Sequence, residues 1–186
     1  QSNVTVLITG ESGSGKSQTG RAILGLTAPE GRVSAKKLAF NGVDLQHCSP
    51  KQRRELRGGR IAMVLQDPKF SLNPVMTIGR QIMETLLAHS RMSDKAARQR
   101  AIEALQSVQI DDPERVFKLY PHEVSGGMGQ RAMIAMMLIP NPDLLIADEP
   151  TTALDVTTQA EILALIRDLQ AETGMSVLFI THDMGV

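Results

Sequence analysis

The sequence predicts an α/β fold in which a parallel sheet is covered on both faces and carries an inserted helical subdomain. Three observations lead there. Four short, near-continuous apolar runs read as buried strands: Val4 to Thr9, Ile61 to Leu65, Leu144 to Ala147 and Val177 to Ile180. Stretches with helical spacing, rather than tight turns alone, separate these runs, as crossovers between parallel strands require. Residues able to do chemistry follow each run, at the strand ends where ligands bind in such sheets.

The first run leads into Gly10-Glu11-Ser12-Gly13-Ser14-Gly15-Lys16-Ser17, which matches the phosphate-binding pattern G-x-x-x-x-G-K-[ST]. A helix-compatible stretch from Ser17 to Leu26 follows, completing the strand–loop–helix setting that the pattern needs. The glycines let successive backbone N–H groups converge on phosphate oxygens. The helix adds its free N-terminal donors and its dipole. Lys16 is suited to the β- and γ-phosphates of a nucleotide, and the Ser17 hydroxyl to Mg²⁺. Gln18 continues this candidate nucleotide-binding stretch, and the predicted class becomes a P-loop NTPase with a RecA-like core.

Beyond Ala28-Pro29-Glu30-Gly31, Lys37-Leu38-Ala39-Phe40 reads as a short strand turning at Asn41-Gly42 into Val43-Asp44-Leu45. Ser49-Pro50 starts a polar helix that runs to Arg57 and is closed by Gly58-Gly59. Gln66 stands at the end of the second apolar run. From there Ile78, Ile82 and Leu86, then Ala97, Ala101, Leu105 and Val108, recur at helical spacing, and Pro113 to Tyr120 reads as a further short helix. Residues 68–140 are therefore expected to form the helical subdomain, with 1–67 and 141–186 as the α/β core. The basic residues Arg91, Lys95, Arg98 and Arg100 read as a solvated helix face. Val156 to Glu172 is a long helix with Ile162, Ile166 and Leu169 on one side and Gly174 as its stop.

Lysine plus arginine balance aspartate plus glutamate at 20 each over 186 residues, so no global field points to nucleic acid. A single cysteine, Cys48, excludes an intrachain disulfide and a cysteine-based metal cluster. His47, His89 and His122 lack metal-ligand spacing and read as structural or surface residues. No apolar run approaches the ~18 residues of a membrane span, and no signal-peptide pattern opens the chain. A chain soluble by itself is the expectation.

Asp148 and Glu149 end the third apolar run. They suit a division of labour in which Asp148 holds Mg²⁺ and Glu149 polarises the water that attacks the γ-phosphate. Neighbouring strand residues point to opposite sides, which would separate the two roles. Ser125-Gly126-Gly127-Met128 precedes a helical run from Gln130 to Leu138, making a second phosphate site at a helix N-terminus. One nucleotide does not need two such sites from one domain. The economical reading is that each ATP lies between the loop at Gly10 to Ser17 of one protomer and the Ser125 turn of another. Met133, Met136 and Met137 behind that turn read as core packing.

These residues together resemble the nucleotide-binding domain of ATP-binding cassette (ABC) transporters. The family's motifs stand in order: the P-loop, the Q-loop at Gln66, the signature at Val124-Ser125-Gly126-Gly127-Met128, Walker B through Asp148-Glu149, the D-loop at Ala153-Leu154-Asp155, and the switch histidine His182. Gln66-Asp67-Pro68 with Ser71-Leu72-Asn73-Pro74, Tyr120-Pro121-His122-Glu123 and Thr181-His182-Asp183-Met184-Gly185-Val186 are most similar to importers of di- and oligopeptides, glutathione or nickel. The resemblance implies an ATPase in which two such domains, identical or related, close head to tail over two ATP and power a membrane permease. It implies that Gln66 contacts Mg²⁺ or the attacking water and senses the permease. His182 would support the γ-phosphate, Ser125, Gly126 and Gly127 the partner's nucleotide, and Asp155 the link between the two sites. The segment from Phe70 to Asn73 would dock on the permease. The implied location is the cytoplasmic face of the inner membrane, peripheral and reached only through the permease, with no nucleic-acid partner.

Two positions depart from the family's Leu-Ser-Gly-Gly-Gln: Val124 and Met128, of which Met128 removes a polar group near the partner's nucleotide. Domains of this family normally begin with antiparallel strands bearing an adenine-stacking aromatic, whereas nine residues precede Gly10 here and four follow His182. The expectation is a domain truncated at both ends that binds ATP weakly. Other functions in the same frame are a soluble ABC ATPase of DNA repair or translation, which would carry coiled-coil insertions or tandem cassettes, and a non-hydrolytic nucleotide-binding module.

Overall fold

The alternation of apolar side chains along the strands fills both faces of the sheet. In a computed structural model describing residues 3–65, 71–152 and 154–182, the elements of the first half are β1 (Thr5–Thr9), α1 (Lys16–Leu24), β2 (Ala39–Phe40), β3 (Val43–Asp44), α2 (Pro50–Leu56) and β4 (Ile61–Val64). There follow α3 (Ile78–His89), α4 (Asp94–Ser107), α5 (Pro113–Lys118), a 3₁₀ turn (Pro121–Glu123), α6 (Gly126–Leu138), β5 (Leu144–Asp148), α7 (Val156–Thr173) and β6 (Ser176–Thr181). The main sheet has the order β1-β6-β5-β4 with every pairing parallel. Its carboxyl edge therefore collects the residues that follow each strand.

Register places Ala62, Leu145 and Val177 in one row and Val64, Ala147 and Phe179 in the next. These six are buried on the face covered by α3 to α7. Met63, Ile146 and Leu178 point the other way, toward Leu24 of α1 and Leu45. Both faces of the three strands are thus covered, as their continuous apolar sequences require. The run at Val4 to Thr9 differs. It forms a strand as expected but is not buried: Val6 and Leu7 are each 51% exposed. β1 is the edge strand of the described sheet and pairs only with β6, so its outer side meets no neighbour.

The helical stretch follows its sequence spacing closely. Ile78, Ile82 and Leu86 of α3 face Ala97, Ala101 and Leu105 of α4 within one buried cluster that also holds Val116 of α5 and Ala132 and Met133 of α6. Each buried Ile or Leu contributes about 1.5–3 kcal/mol. α5 crosses α3 so closely that a Cβ on Gly79 would lie 2.2 Å from the Phe117 ring. Gly79→Ala is therefore expected to destabilise by about 1–3 kcal/mol through overpacking, read as a lowered midpoint with unchanged slope in urea unfolding. Arg98 departs from a purely solvated face: its guanidinium lies 5.2 Å over the Phe117 ring. Arg91, Lys95 and Arg100 are exposed as expected.

Local chemistry explains the boundaries. Asn41 (φ 46°) and Gly42 (φ 81°) make the tight turn between β2 and β3. Ser49 caps α2 in a reciprocal capping box with Gln52. Arg57 donates to the carbonyls of Leu24 and Gly25, both at 2.7 Å, and so closes the C-terminus of α1. α1 ends at Leu24 and α5 at Lys118, earlier than their sequence patterns suggest, whereas α6 begins at Gly126, before Gln130. There the Ser125 cap outweighs the weak helix propensity of the two glycines. Among the described residues no helix is long and apolar enough to cross a membrane.

Candidate functional site

The loop between β1 and α1 is exposed from Gly10 to Gly15 and closes onto a buried lysine. Gly13 (φ 82°) and Gly15 (φ 92°) adopt left-handed backbone that a side chain would strain. Gly15 is also the N-cap of α1, and no side chain caps that terminus. Its first N–H groups and the positive end of its dipole are thus directed at whatever the loop encloses, the arrangement that binds anions. Lys16 is 7% exposed, and its Nζ donates to the carbonyls of Gly10 and Glu11, each at 2.8 Å. The ammonium is held across the loop's mouth by two neutral acceptors, which an anionic oxygen would replace at a gain. Ser12, Ser14 and Gln18 are exposed around it.

Parallel pairing brings the ends of β5 and β6 beside this loop. Ser17 Oγ donates to Asp148 Oδ1 at 2.8 Å across 131 residues of sequence. Asp148 is 5% exposed, and burial pushes its carboxyl above the usual range. The Ser17 hydrogen bond opposes that shift, the Glu149 charge adds to it, and Arg21 and Lys16 oppose it. Burial of this charge costs stability at neutral pH, a cost absent below the unfolded-state value and fully present above the raised folded-state value. Asp148→Asn, whose oxygen still accepts from Ser17, is therefore expected to raise the melting temperature of the nucleotide-free protein at pH 7. The difference should shrink as pH falls toward 4. Thermal melts of both proteins across that range check it.

Glu149 is not a strand residue. It lies past the end of β5 with φ 48°, a left-handed conformation costing about 1–3 kcal/mol for a residue other than glycine. The turn, rather than strand alternation, separates its direction from that of Asp148. Glu149 N–H donates to the Ile180 carbonyl at 2.9 Å, and Thr152 N–H to the Glu149 carbonyl at 3.3 Å. The carboxylate is held at both oxygens: Oε1 is 3.0 Å from His182 Nδ1, and Oε2 accepts from Thr152 Oγ1 at 3.1 Å. Lys16, Ser17, Asp148, Glu149 and His182 therefore meet at one edge. Gln66 lies outside the described residues, as do Phe70 and Ala153; the strand before Gln66 ends at that same edge.

The Ser125 turn is tied elsewhere. Ser125 Oγ accepts from Met128 N–H at 3.3 Å, capping α6. Asp155 caps α7, accepting from Thr158 N–H at 3.0 Å and from its hydroxyl at 2.8 Å, and these bonds hold its carboxyl below the usual range. The two turns abut: a Cβ on Gly127 would come within 3.0 Å of Thr158. Among the described residues, the side-chain hydrogen bonds of Ser125 and Asp155 go to these neighbours and not to the Gly10–Ser17 loop.

Two contributors escaped the sequence reading. Thr152 holds Glu149, and its signal was a hydroxyl three residues after an acid. Gln130, 1% exposed on α6, donates through Nε2 to the Pro150 carbonyl at 2.5 Å. Its signal was an uncharged polar residue at the head of a mostly apolar helical run. His47 pairs with Asp44, and His122 stacks on Tyr120 at 5.7 Å, in agreement with surface roles.

The chain is 54% identical to the dipeptide transport ATP-binding protein DppD of Escherichia coli over 96% of its own length and 55% of that protein's. It is 52% identical to the oligopeptide transport ATP-binding protein OppD of Bacillus subtilis over 98% of its length and 51% of that protein's. It thus spans about half the length of these curated relatives. Among solved structures it is similar to the ATP-binding cassette MJ0796, a dimer bound to ADP and Pi, with a TM-score of 0.84 at 32% identity over 100% of this chain and 77% of that one. CbiO1 from Clostridium perfringens, part of a transporter complex, gives a TM-score of 0.80 at 27% identity over 98% and 68%. The family model for ABC transporters matches residues 1–152, so the chain belongs to the ABC transporter family.

Proposed function

We propose that this chain is the ATP-binding and ATP-hydrolysing part of a subunit that drives import of peptides through a membrane permease. The observation that carries the proposal is the meeting of Lys16, Ser17, Asp148, Glu149 and His182 at one sheet edge, with the Ser125 turn bonded elsewhere. That separation supports an ATP held by Gly10, Glu11, Ser12, Gly13, Ser14, Gly15, Lys16, Ser17 and Gln18 of one domain and covered by Ser125, Gly126 and Gly127 of a second. The names of the relatives support peptides as the class of solute. In this reading residues 68–140 form a helical signature unit on a core of 1–67 and 141–186. The packing of α3 and α4 on α6, of α5 on α3 and α4, and of α6 on β4, supports it.

The donor set at Ser17 and Asp148, a hydroxyl in contact with one carboxylate, suits Mg²⁺, a hard cation that takes oxygen ligands from few side chains and the substrate's phosphates. Bound there, Mg²⁺ would supply neutralisation of developing phosphate charge. Gln66 is proposed as a further contact. Lys16 would leave its loop carbonyls for phosphate oxygens. Glu149 would accept the proton of the attacking water, for which Oε1 must part from His182, and His182 would then turn toward the γ-phosphate. Asp155 would align the facing sites. Location at the cytoplasmic face of the inner membrane follows from attachment to the permease. Steady phosphate release from ATP by the full chain, stimulated by its permease, is the test. Nucleotide binding without turnover would favour a regulatory module instead.

A further inference from the structure

Gln130 is buried in a helix whose other inward side chains are apolar, and its donor goes to one backbone oxygen, that of Pro150. A buried amide without a partner is costly, so this contact fixes where the helix and the Pro150 carbonyl lie relative to each other. Pro150 follows Glu149 directly. Having no N–H, its only backbone hydrogen-bonding group is the carbonyl that Gln130 holds. The strained backbone at Glu149 is thus pinned from two sides: its N–H by Ile180 of β6, and the next residue's carbonyl by α6. Strained conformations persist only when such surroundings over-determine them. At the other end of this path, Ser125 is the N-cap of the same helix, five residues before Gln130 and about 7.5 Å along its axis.

We infer that Gln130 is a positioning residue coupling the two nucleotide sites of a dimer: a nucleotide seated on the Ser125 turn moves α6, and the Gln130–Pro150 hydrogen bond carries that movement to Glu149 in the chain's own site. The inference rests on the proposed reading in which the Ser125 turn covers a second domain's ATP. Gln130 touches no nucleotide; it acts through the turn at residues 149–152. Arg131, next on the helix, bonds instead to Glu161 and to the Val108 carbonyl, so it anchors α6 without reaching that turn.

The test replaces Gln130 with Met, of similar volume but without the donor, and separately with Leu, in the full chain. Turnover is expected to fall at least about tenfold, as misplacing a reacting group does, with ATP affinity unchanged and the melting temperature lowered only slightly, by the loss of the donor to the buried Pro150 carbonyl. The Hill coefficient for ATP should drop from roughly 2 toward roughly 1. ATP-dependent dimerisation should survive when Gln130→Met is combined with Glu149→Gln. Unchanged turnover and cooperativity would overturn the coupling, as would a turnover loss matched by an equal loss of ATP affinity with the Hill coefficient unchanged, the mark of a packing role. Failure of Glu149→Gln with native Gln130 to dimerise on ATP would overturn it differently, by removing the shared site itself.

Discussion

Glu149→Gln is expected to lower steady ATP turnover about 10²–10⁴-fold, the range a positioned general base supplies, while ATP binding is retained. The amide keeps the size of the side chain and can still pair with His182 and Thr152, the two groups that hold the carboxylate. The backbone at Glu149, fixed by Ile180 and Thr152, has no reason to move. What disappears is the capacity to take a proton. Phosphate release and equilibrium nucleotide binding, measured on the same preparation of the full chain, separate the two effects. Turnover near that of the unsubstituted protein would assign the base elsewhere and leave Glu149 a structural acid of the turn.

Lys16→Met should act at the opposite step, on binding. The ammonium is buried and, among the described residues, bonded to the Gly10 and Glu11 carbonyls, so it can exchange them for phosphate without crossing bulk water. Removing one partner of a buried, hydrogen-bonded charge pair costs about 2–5 kcal/mol, which is roughly 30- to 4,000-fold in Kd. Lys16→Arg should not restore binding. Its planar fork is larger than the single ammonium point, and the loop has closed around the latter. Titration with a fluorescent ATP analogue checks both substitutions; affinity within error of the unsubstituted protein would mean that the backbone donors alone hold the phosphates.

Much of the site was legible because its chemistry restricts which residues can stand there. The Gly10–Ser17 loop needs glycines where φ is positive, and Gly13 and Gly15 occupy such positions. Strand ends followed by Asp148 and His182 converge because parallel pairing puts every strand's carboxyl end on one edge. Short-range signals worked for the same reason: Asn41-Gly42 demands its turn, and Ser49 before Pro50 its cap. The sequence could not reveal what depends on distant neighbours. β1 reads as buried because Val6 and Leu7 are apolar, yet burial requires a cover that the described residues do not provide. Nothing in Glu149 announces left-handed backbone, since its own propensity opposes it and only Ile180 and the residues around it hold it there. Gln130 reads only as the start of a helical run, because the Pro150 carbonyl that gives it a role lies 20 residues on.

The central claim is that one ATP is shared by the P-loop of one domain and the Ser125 turn of another. Sedimentation of the full chain carrying Glu149→Gln, with and without Mg-ATP, tests it most directly, because blocked hydrolysis lets the closed state accumulate. The account expects a monomer without nucleotide and a dimer with Mg-ATP, lost again on Ser125→Arg, which places a bulky side chain in the shared site. A species that binds Mg-ATP yet sediments as a monomer throughout, alone and with its candidate partner subunits, would contradict it.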